Sequence, residues 1–278
     1  NISGTITSAL SKSTTISGAS LKAYRGLWQF SSLKYYLTGP GSSSWSPPVV
    51  NSTQSDGSGE YTLSDMPRGY YTILIEKSGY IDSTFWVASC GNKTGKNKAL
   101  SSTLPSNSMR IVLSWPKTSP VTVVDLDAHI TGPDNASGRF HVYYDNQDTF
   151  YYWNNSYSSS GIPTSAQSDK VKLDRDEKSS TGAPPGIETI TVGNVKSSGT
   201  YRYQVHDYTN KEVTNPDNIS KSGATVELNY NNGTTTITKT YNAPNDTGSL
   251  WEVFTFTTSG GFNEEATMID QSNASAVQ

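Results

Sequence analysis

Two short acidic stretches hold the residue types with the most chemistry. Val123–Asn135 reads VVDLDAHITGPDN, with Asp125, Asp127 and His129 at alternate positions. Lys172–Glu177 reads KLDRDE, with Asp174 and Asp176 spaced the same way, and Glu188 follows eleven residues after Glu177. Side chains alternate along a strand, so each set shares one face if its stretch is extended. Carboxylates gathered in this way repel one another unless a cation or buried donors compensate. An oxygen-rich set is the chemistry of Ca²⁺, and Asp125, Asp127, Asp174, Asp176 and Glu188 are its candidate ligands. Two other readings stay open. The aspartates can cap turns or pair with Arg139 or Arg175, or a carboxylate pair can hydrolyse a glycosidic bond, which needs a sugar-lined cleft.

His129, His141 and His206 all fall in β-rich segments, and a zinc site would need a convergence that spacing alone does not show. No Gly-x-Ser-x-Gly elbow, His-Glu-x-x-His helix or phosphate loop occurs, so no catalytic residue is assigned and the chain is expected not to be an enzyme. Cys90 is the one cysteine, which excludes an internal disulfide. It reads as a buried or incidental thiol rather than a nucleophile.

The elements that must position these residues are strands. YYTILIEKSGY puts Tyr71, Ile73 and Ile75 on one face and Thr72, Leu74 and Glu76 on the other. GTYRYQVHDY sets Tyr201, Tyr203, Val205 and Asp207 against Arg202, Gln204, His206 and Tyr208. MRIVLSW, RFHVYY, ETITVGNV, ATVELNY, TTTITKTY and WEVFTFTT are further β-rich runs ended by turn residues. Asn232-Gly233 predicts a type I′ hairpin. No dozen residues show helical apolar spacing with caps, so the expected fold is all-β, two tandem β-sandwiches. The polar, proline-containing stretch Leu100–Ser108 divides them into residues 1–106 and 107–278. Two serine-rich inserts accompany Trp45 and Trp153, which either fold back on their own domain or form a contact surface for a partner or a sugar ring. Asn263–Gln278 reads as a mobile polar tail able to dock on a neighbouring subunit by strand addition.

Motif order adds two resemblances. ISGTITSALSKSTTISGASLKAY, then STQSDGSGEYTLSDMPRGYYTILIEKSGY, resembles the carboxypeptidase regulatory-like family over most of residues 1–104. That resemblance implies a small transthyretin-like, seven-stranded sandwich acting as a spacer or adhesion module, not a peptidase. The stretch from Leu27 to Val50 is longer than a plain loop and is expected to add a hairpin or a contact surface. Residues 107–278 resemble the YfaP-like family, on Leu113, Trp115, Asp125, Asp127, His129, Asp174, Asp176 and Glu188. The family's Gly-Pro-Glu is here Pro185-Gly186-Ile187-Glu188. This second resemblance implies a β-sandwich in an exported protein.

Composition sets the functional frame. The chain has 278 residues, 33% hydrophobic, 11% aromatic and only 16% charged, with net charge −3. Low charge with many aromatics opposes disorder, and no basic surplus favours nucleic acid or an anionic membrane. No apolar run approaches the roughly 20 residues of a bilayer span. The chain opens at Asn1 without a Met or a leader, as expected of a mature or trimmed protein. Asn-X-Ser/Thr occurs at Asn1, Asn51, Asn92, Asn135, Asn154, Asn218, Asn232, Asn245 and Asn273. Chance accounts for about five such motifs at this composition; N-linked glycans on several of the nine would imply a eukaryotic secretory route or an archaeal surface, and the alternative is that Asn, Ser and Thr simply build turns. The reading is a non-catalytic, secreted structural glycoprotein, a fibre subunit binding copies of itself head to tail. The alternatives are an adhesin or carbohydrate-binding module contacting surface glycans, and a hydrolase using the acidic cluster. No cofactor is required beyond a candidate Ca²⁺.

Overall fold

The computed structural model describes residues 1–116, 125–134, 138–150, 168–178 and 185–277. They divide into two compact units, Asn1–Thr103 and Leu104–Gln278, and both are built from mainly antiparallel sheets facing each other across a hydrophobic core.

The first unit has strands β1 (Ile2–Ser8), β2 (Ser11–Thr15), β3 (Ser20–Arg25), β4 (Val49–Gln54), β5 (Glu60–Leu63), β6 (Gly69–Glu76), β7 (Ser83–Ser89) and β8 (Lys98–Leu100). One sheet has the order β2-β1-β5 with β8 added parallel to β1, and the other has the order β4-β3-β6-β7. The eight strands exceed the expected seven by the short β8. Ile2, Ile6, Leu21, Leu63, Tyr71, Ile73 and Ile75 fill the core. The alternation read for β6 holds, and Leu74 on its other face is also fully buried.

The Leu27–Val50 insert explains that burial. It forms a helix, α1 (Phe30–Leu37), and a 3₁₀ turn over Pro40–Ser43, where a hairpin or contact surface was expected. Leu33 of α1 packs on Tyr24 and Leu74 as a second small core, which contributes about 1.5–3 kcal/mol for the Leu33 side chain. Thr72 Oγ1 accepts from Trp28 N–H at 2.8 Å and donates to the Gly26 carbonyl at 2.9 Å, tying the start of the insert to β6. One buried leucine in eight residues is too weak a period to read from sequence.

The second unit comprises β9 (Ser108–Trp115), β10 (Leu126–Pro133), β11 (Arg139–Val142), β12 (Asp148–Phe150), β13 (Lys170–Arg175), β14 (Gly186–Val192), β15 (Tyr201–Asp207), a short helix α2 (Asn218–Ser222), β16 (Thr225–Asn231), β17 (Thr236–Asn242), β18 (Leu250–Thr257) and β19 (Gly261–Ile269). A five-stranded sheet, β11-β10-β15-β18-β19, faces a six-stranded sheet, β12-β13-β14-β9-β16-β17. Ile111, Leu113, Trp115, Ile130, Ile190, Tyr203, Val205, Trp251 and Phe254 are among the core residues between them. The β16–β17 ladder ends on Asn231 opposite Thr236, and Asn232 N–H then donates to the Thr235 carbonyl at 3.1 Å, so the turn centres on Gly233-Thr234, one residue past the expected Asn232-Gly233. Gly233 takes φ +91° there, and Asn232 caps the turn by accepting from the Thr234 and Thr235 N–H groups.

The C-terminal stretch is not a free tail. Gly261–Ile269 is β19, paired along β18, with Phe262 stacked on Phe256 at 4.2 Å and Met268 buried. Of its side chains only Phe262 and Met268 pack against the core while most of the others are open, so its composition reads as a tail although its backbone is laddered. No helix among the described residues is long and apolar enough to cross a membrane.

Candidate metal centre

Strand β10 runs antiparallel to β15 with Asp127 opposite His206 and His129 opposite Gln204. Leu126, Ala128, Ile130, Tyr203 and Val205 turn into the core. Alternation therefore sends Asp127, His129, Gln204 and His206 together to the outer face of the five-stranded sheet. That face is nonetheless closed, since the four side chains are 4, 0, 3 and 0% exposed.

The cover comes from two directions. The Tyr143 ring stacks on His129 at 5.2 Å and on His141 at 4.2 Å. From the other side, the Gln271 carbonyl accepts from His206 Nε2–H at 2.7 Å and from Ser249 Oγ–H at 3.0 Å. Beyond it, Ala274 and Val277 are buried in turn. A carbonyl only accepts, so the His206 proton sits on Nε2 and Nδ1 is a bare lone pair. His129 Nδ1 lies 2.9 Å from His141 Nε2.

These contacts leave one atom of each residue in the centre without a hydrogen bond: Asp127 Oδ2, His129 Nε2 and His206 Nδ1. Each of the three residues offers one ligand atom within 4.8 Å of the others'. Buried polar atoms are otherwise almost always satisfied. Gln204 Oε1, on the same face, is also buried without a partner.

The electrostatics favour neutral imidazoles beside a strained carboxylate. Burial, with the neighbouring imidazoles, holds His129 well below the ordinary histidine range. Burial alone lowers His141 to about 4. Burial also lowers His206, against the Gln271 hydrogen bond that raises it. Asp127 is pushed well above the carboxylate range by burial and then by the charges of Asp125 and Asp176. Glu188, fully buried, is pushed up by burial and then by Asp127.

Of the five expected Ca²⁺ ligands, Asp125 and Asp176 bring charge near Asp127, and Asp127 and Asp176 bring charge near Glu188, whereas Asp174 is set apart from them. A β-bulge at Asp174 breaks the alternation between Leu173 and Arg175, so Asp174 and Asp176 do not share a face as read. Asp174 lies instead near Lys172, at 3.9 Å, accepts a hydrogen bond from the Thr191 side chain and sits in the field of Arg110. Asp176 accepts from Gln147 Nε2 at 2.9 Å and pairs with Lys178 at 3.3 Å. Glu188 uses both oxygens on backbone donors, Ala128 N–H at 2.6 Å and Glu177 N–H at 3.3 Å. Asp125 sits just before β10, where its N–H donates to Thr209 Oγ1, and it adds charge near Asp127. Ca²⁺ takes 6–8 oxygens; the ligand atoms that lie within 4.8 Å of one another, among the described residues, come from one carboxylate and two imidazoles. His206 lies 77 residues from His129 in sequence, and only the β10–β15 register brings them together.

The remaining candidates scatter. Trp45 is 51% exposed, stacked on Trp28 at 6.1 Å and edge-on to Tyr36 at 5.8 Å, so it folds back on its own unit with half its surface open. Asn1, Asn92, Asn232, Asn245 and Asn273 are exposed. Asn51 is half-buried, donating from Nδ2 to the Ser64 carbonyl, and Asn218 is half-buried at the start of α2. Trp153, Asn135 and Asn154 lie outside the described residues. Cys90, read as a buried or incidental thiol, is exposed.

No family model matches the sequence, and no curated protein matches it. Among solved structures it is similar to the Bacillus anthracis TIE protein, at 11% identity over 73% of this chain and 28% of that one, with a TM-score of 0.25. A protein from Bacteroides uniformis assigned as carbohydrate-binding aligns at 10% identity over 74% of this chain and 87% of that one, with a TM-score of 0.23. The major pilin SpaD of Corynebacterium diphtheriae aligns at 9% identity over 86% and 63%, with a TM-score of 0.27.

Proposed function

We propose that the chain is a non-catalytic, extracellular structural protein, a subunit of a surface fibre joined to further copies of itself. The observation that supports this best is the pair of open edges on one sheet of the first unit. β4 and β7 are the two edges of that sheet, and neither contains a charged residue. Val49, Val50 and Trp86 on them are 47, 37 and 42% exposed. Uncharged edge strands with free backbone groups pair with other chains, and a contact between two different edges propagates rather than closes. β19 is the contrast. It carries Glu264 and Glu265 and a bulge where Ala266 takes φ +51°, two devices that guard an edge. These features favour the first unit's edges over the C-terminal segment as the place of the contact. Electron microscopy and light scattering on the purified chain test the reading. Filaments or concentration-dependent oligomers are expected, and Val50→Lys with Ser52→Lys in β4 abolishes them without changing the circular dichroism. A wild-type chain that stays monomeric at high concentration refutes it.

A second reading, a glycan-binding surface module, is favoured by one feature. Trp45 and Trp28 stack beside Tyr36, and Tyr35 next to them is 48% exposed, giving a set of rings on which a sugar face can stack. Glycan-array binding lost in Trp45→Ala supports it, and an array without signal removes it.

A further inference from the structure

We propose that Asp127, His129 and His206 form a structural site for a divalent late transition metal, Zn²⁺ first among them. Three observations converge. The ligand atoms lie within 4.8 Å of one another, so one ion can meet all three after a contraction of roughly 1 Å toward Zn–N and Zn–O bonds of about 2.0–2.2 Å. Each of the three residues also holds one buried polar atom without a hydrogen-bond partner, Asp127 Oδ2, His129 Nε2 and His206 Nδ1, although the other polar atoms of the two imidazoles are engaged. The surrounding contacts also match what ligating histidines need, which is a fixed tautomer. His206 Nε2–H is held by the Gln271 carbonyl, leaving Nδ1 for the ion. His129 Nδ1 lies 2.9 Å from His141 Nε2, and in the tautomer that donates from Nδ1 its own Nε2 is left for the ion.

The donor chemistry selects the metal. Two neutral imidazoles with one carboxylate suit Zn²⁺, Cu²⁺ and Ni²⁺ over Ca²⁺, which demands an oxygen shell. Gln204 Oε1, buried and without a partner on the same face, is a candidate for a further oxygen. The closure by Tyr143 and the C-terminal segment marks a structural rather than an open catalytic centre. The ion also offsets the carboxylate charge gathered at Asp127, Asp125 and Asp176. Because β10 and β15 are central strands and Gln271 belongs to the C-terminal segment, a loaded site ties that segment to the sheet. The inference is independent of the fibre reading, since a monomeric chain holds the ion equally well.

The test uses the intact, tag-free chain after EDTA dialysis, titrated calorimetrically with ZnCl₂ and separately with CaCl₂. One Zn²⁺ per chain is expected, with a rise in melting temperature that Ca²⁺ does not reproduce. His206→Gln and Asp127→Asn should each weaken zinc binding at least tenfold, while Asp174→Asn stays within twofold. Zinc-edge X-ray absorption of the wild type covers the case in which a variant fails to fold. It should show two imidazole nitrogens with oxygen. Substoichiometric zinc in the wild type, folded variants that bind as the wild type does, or a zinc spectrum without imidazole overturns the proposal.

Discussion

Glu188 offers the sharpest test of how the two sheets of the second unit are tied. β11 pairs only with Ile130–Pro133 of β10, so the Ala128 N–H lies past the end of that ladder. The Glu188 side chain, reaching from β14, supplies the acceptor at 2.6 Å, and its other oxygen accepts from Glu177 N–H at 3.3 Å. Glu188→Ala leaves both donors without that acceptor inside a closed region. An orphaned buried donor costs about 1–3 kcal/mol, so the two together cost about 2–6 kcal/mol. The longer contact falls at the low end. Relief of repulsion from Asp127 and Asp176 returns part of the loss, which leaves a net of about 2–4 kcal/mol. Glu188→Gln keeps one acceptor and turns an amide donor toward the other N–H, costing about 1–2 kcal/mol. Urea unfolding of the intact chain, followed by hydrogen exchange of β9 and β14 peptides, reads this unit without assuming that both units melt together. A Glu188→Ala chain within about 0.5 kcal/mol of wild type, below the cost of a single orphaned donor, would refute the bridging role.

Further outcomes follow from the same packing. Gly186→Ala should destabilise the second unit by about 1–3 kcal/mol, because a Cβ there would sit 2.2 Å from Trp115 Cε2, and the same exchange peptides would show it. Deleting residues 262–277 should unfold or strongly destabilise the second unit, since Phe262 and Met268 leave its core; an unchanged melting profile contradicts the β19 assignment. In the first unit, burial raises Glu76, but the hydrogen bond and charge of Lys22 and the charge of Lys34 outweigh it and leave Glu76 lowered. A lowered carboxylate stabilises above its unfolded value and loses that contribution as pH falls through its folded value. Glu76→Gln should therefore cost up to about 1 kcal/mol at neutral pH, the ceiling for such half-exposed pairs, and nothing in strong acid. Equal costs at both pH values would exclude the ion pair as the cause. Enzymatic deglycosylation of natively sourced protein should lower its intact mass, with Asn232 and Asn245, both exposed in turns, among the occupied positions; a mass equal to the bare chain excludes glycans in that source.

Period-2 alternation was legible wherever one face of a strand is buried, so the sequence by itself determined the all-β class and the inward sets Tyr71–Ile73–Ile75 and Tyr201–Tyr203–Val205. It also placed Asp127 and His129 on one face, since residues two apart on a strand must share it. Other features depend on partners distant in the chain. The bulge at Asp174 is set by pairing with β14 and cancels an alternation that reads as regular. α1 is a helix because Leu33 finds Tyr24 and Leu74, and β19 is a strand because β18 ladders its polar backbone. The candidate metal centre is the clearest case. Its third ligand, His206, meets Asp127 only through one antiparallel register, and a slip of a single residue would turn it into the core. Composition states which groups can bind an ion; pairing between strands far apart in sequence decides which of them meet.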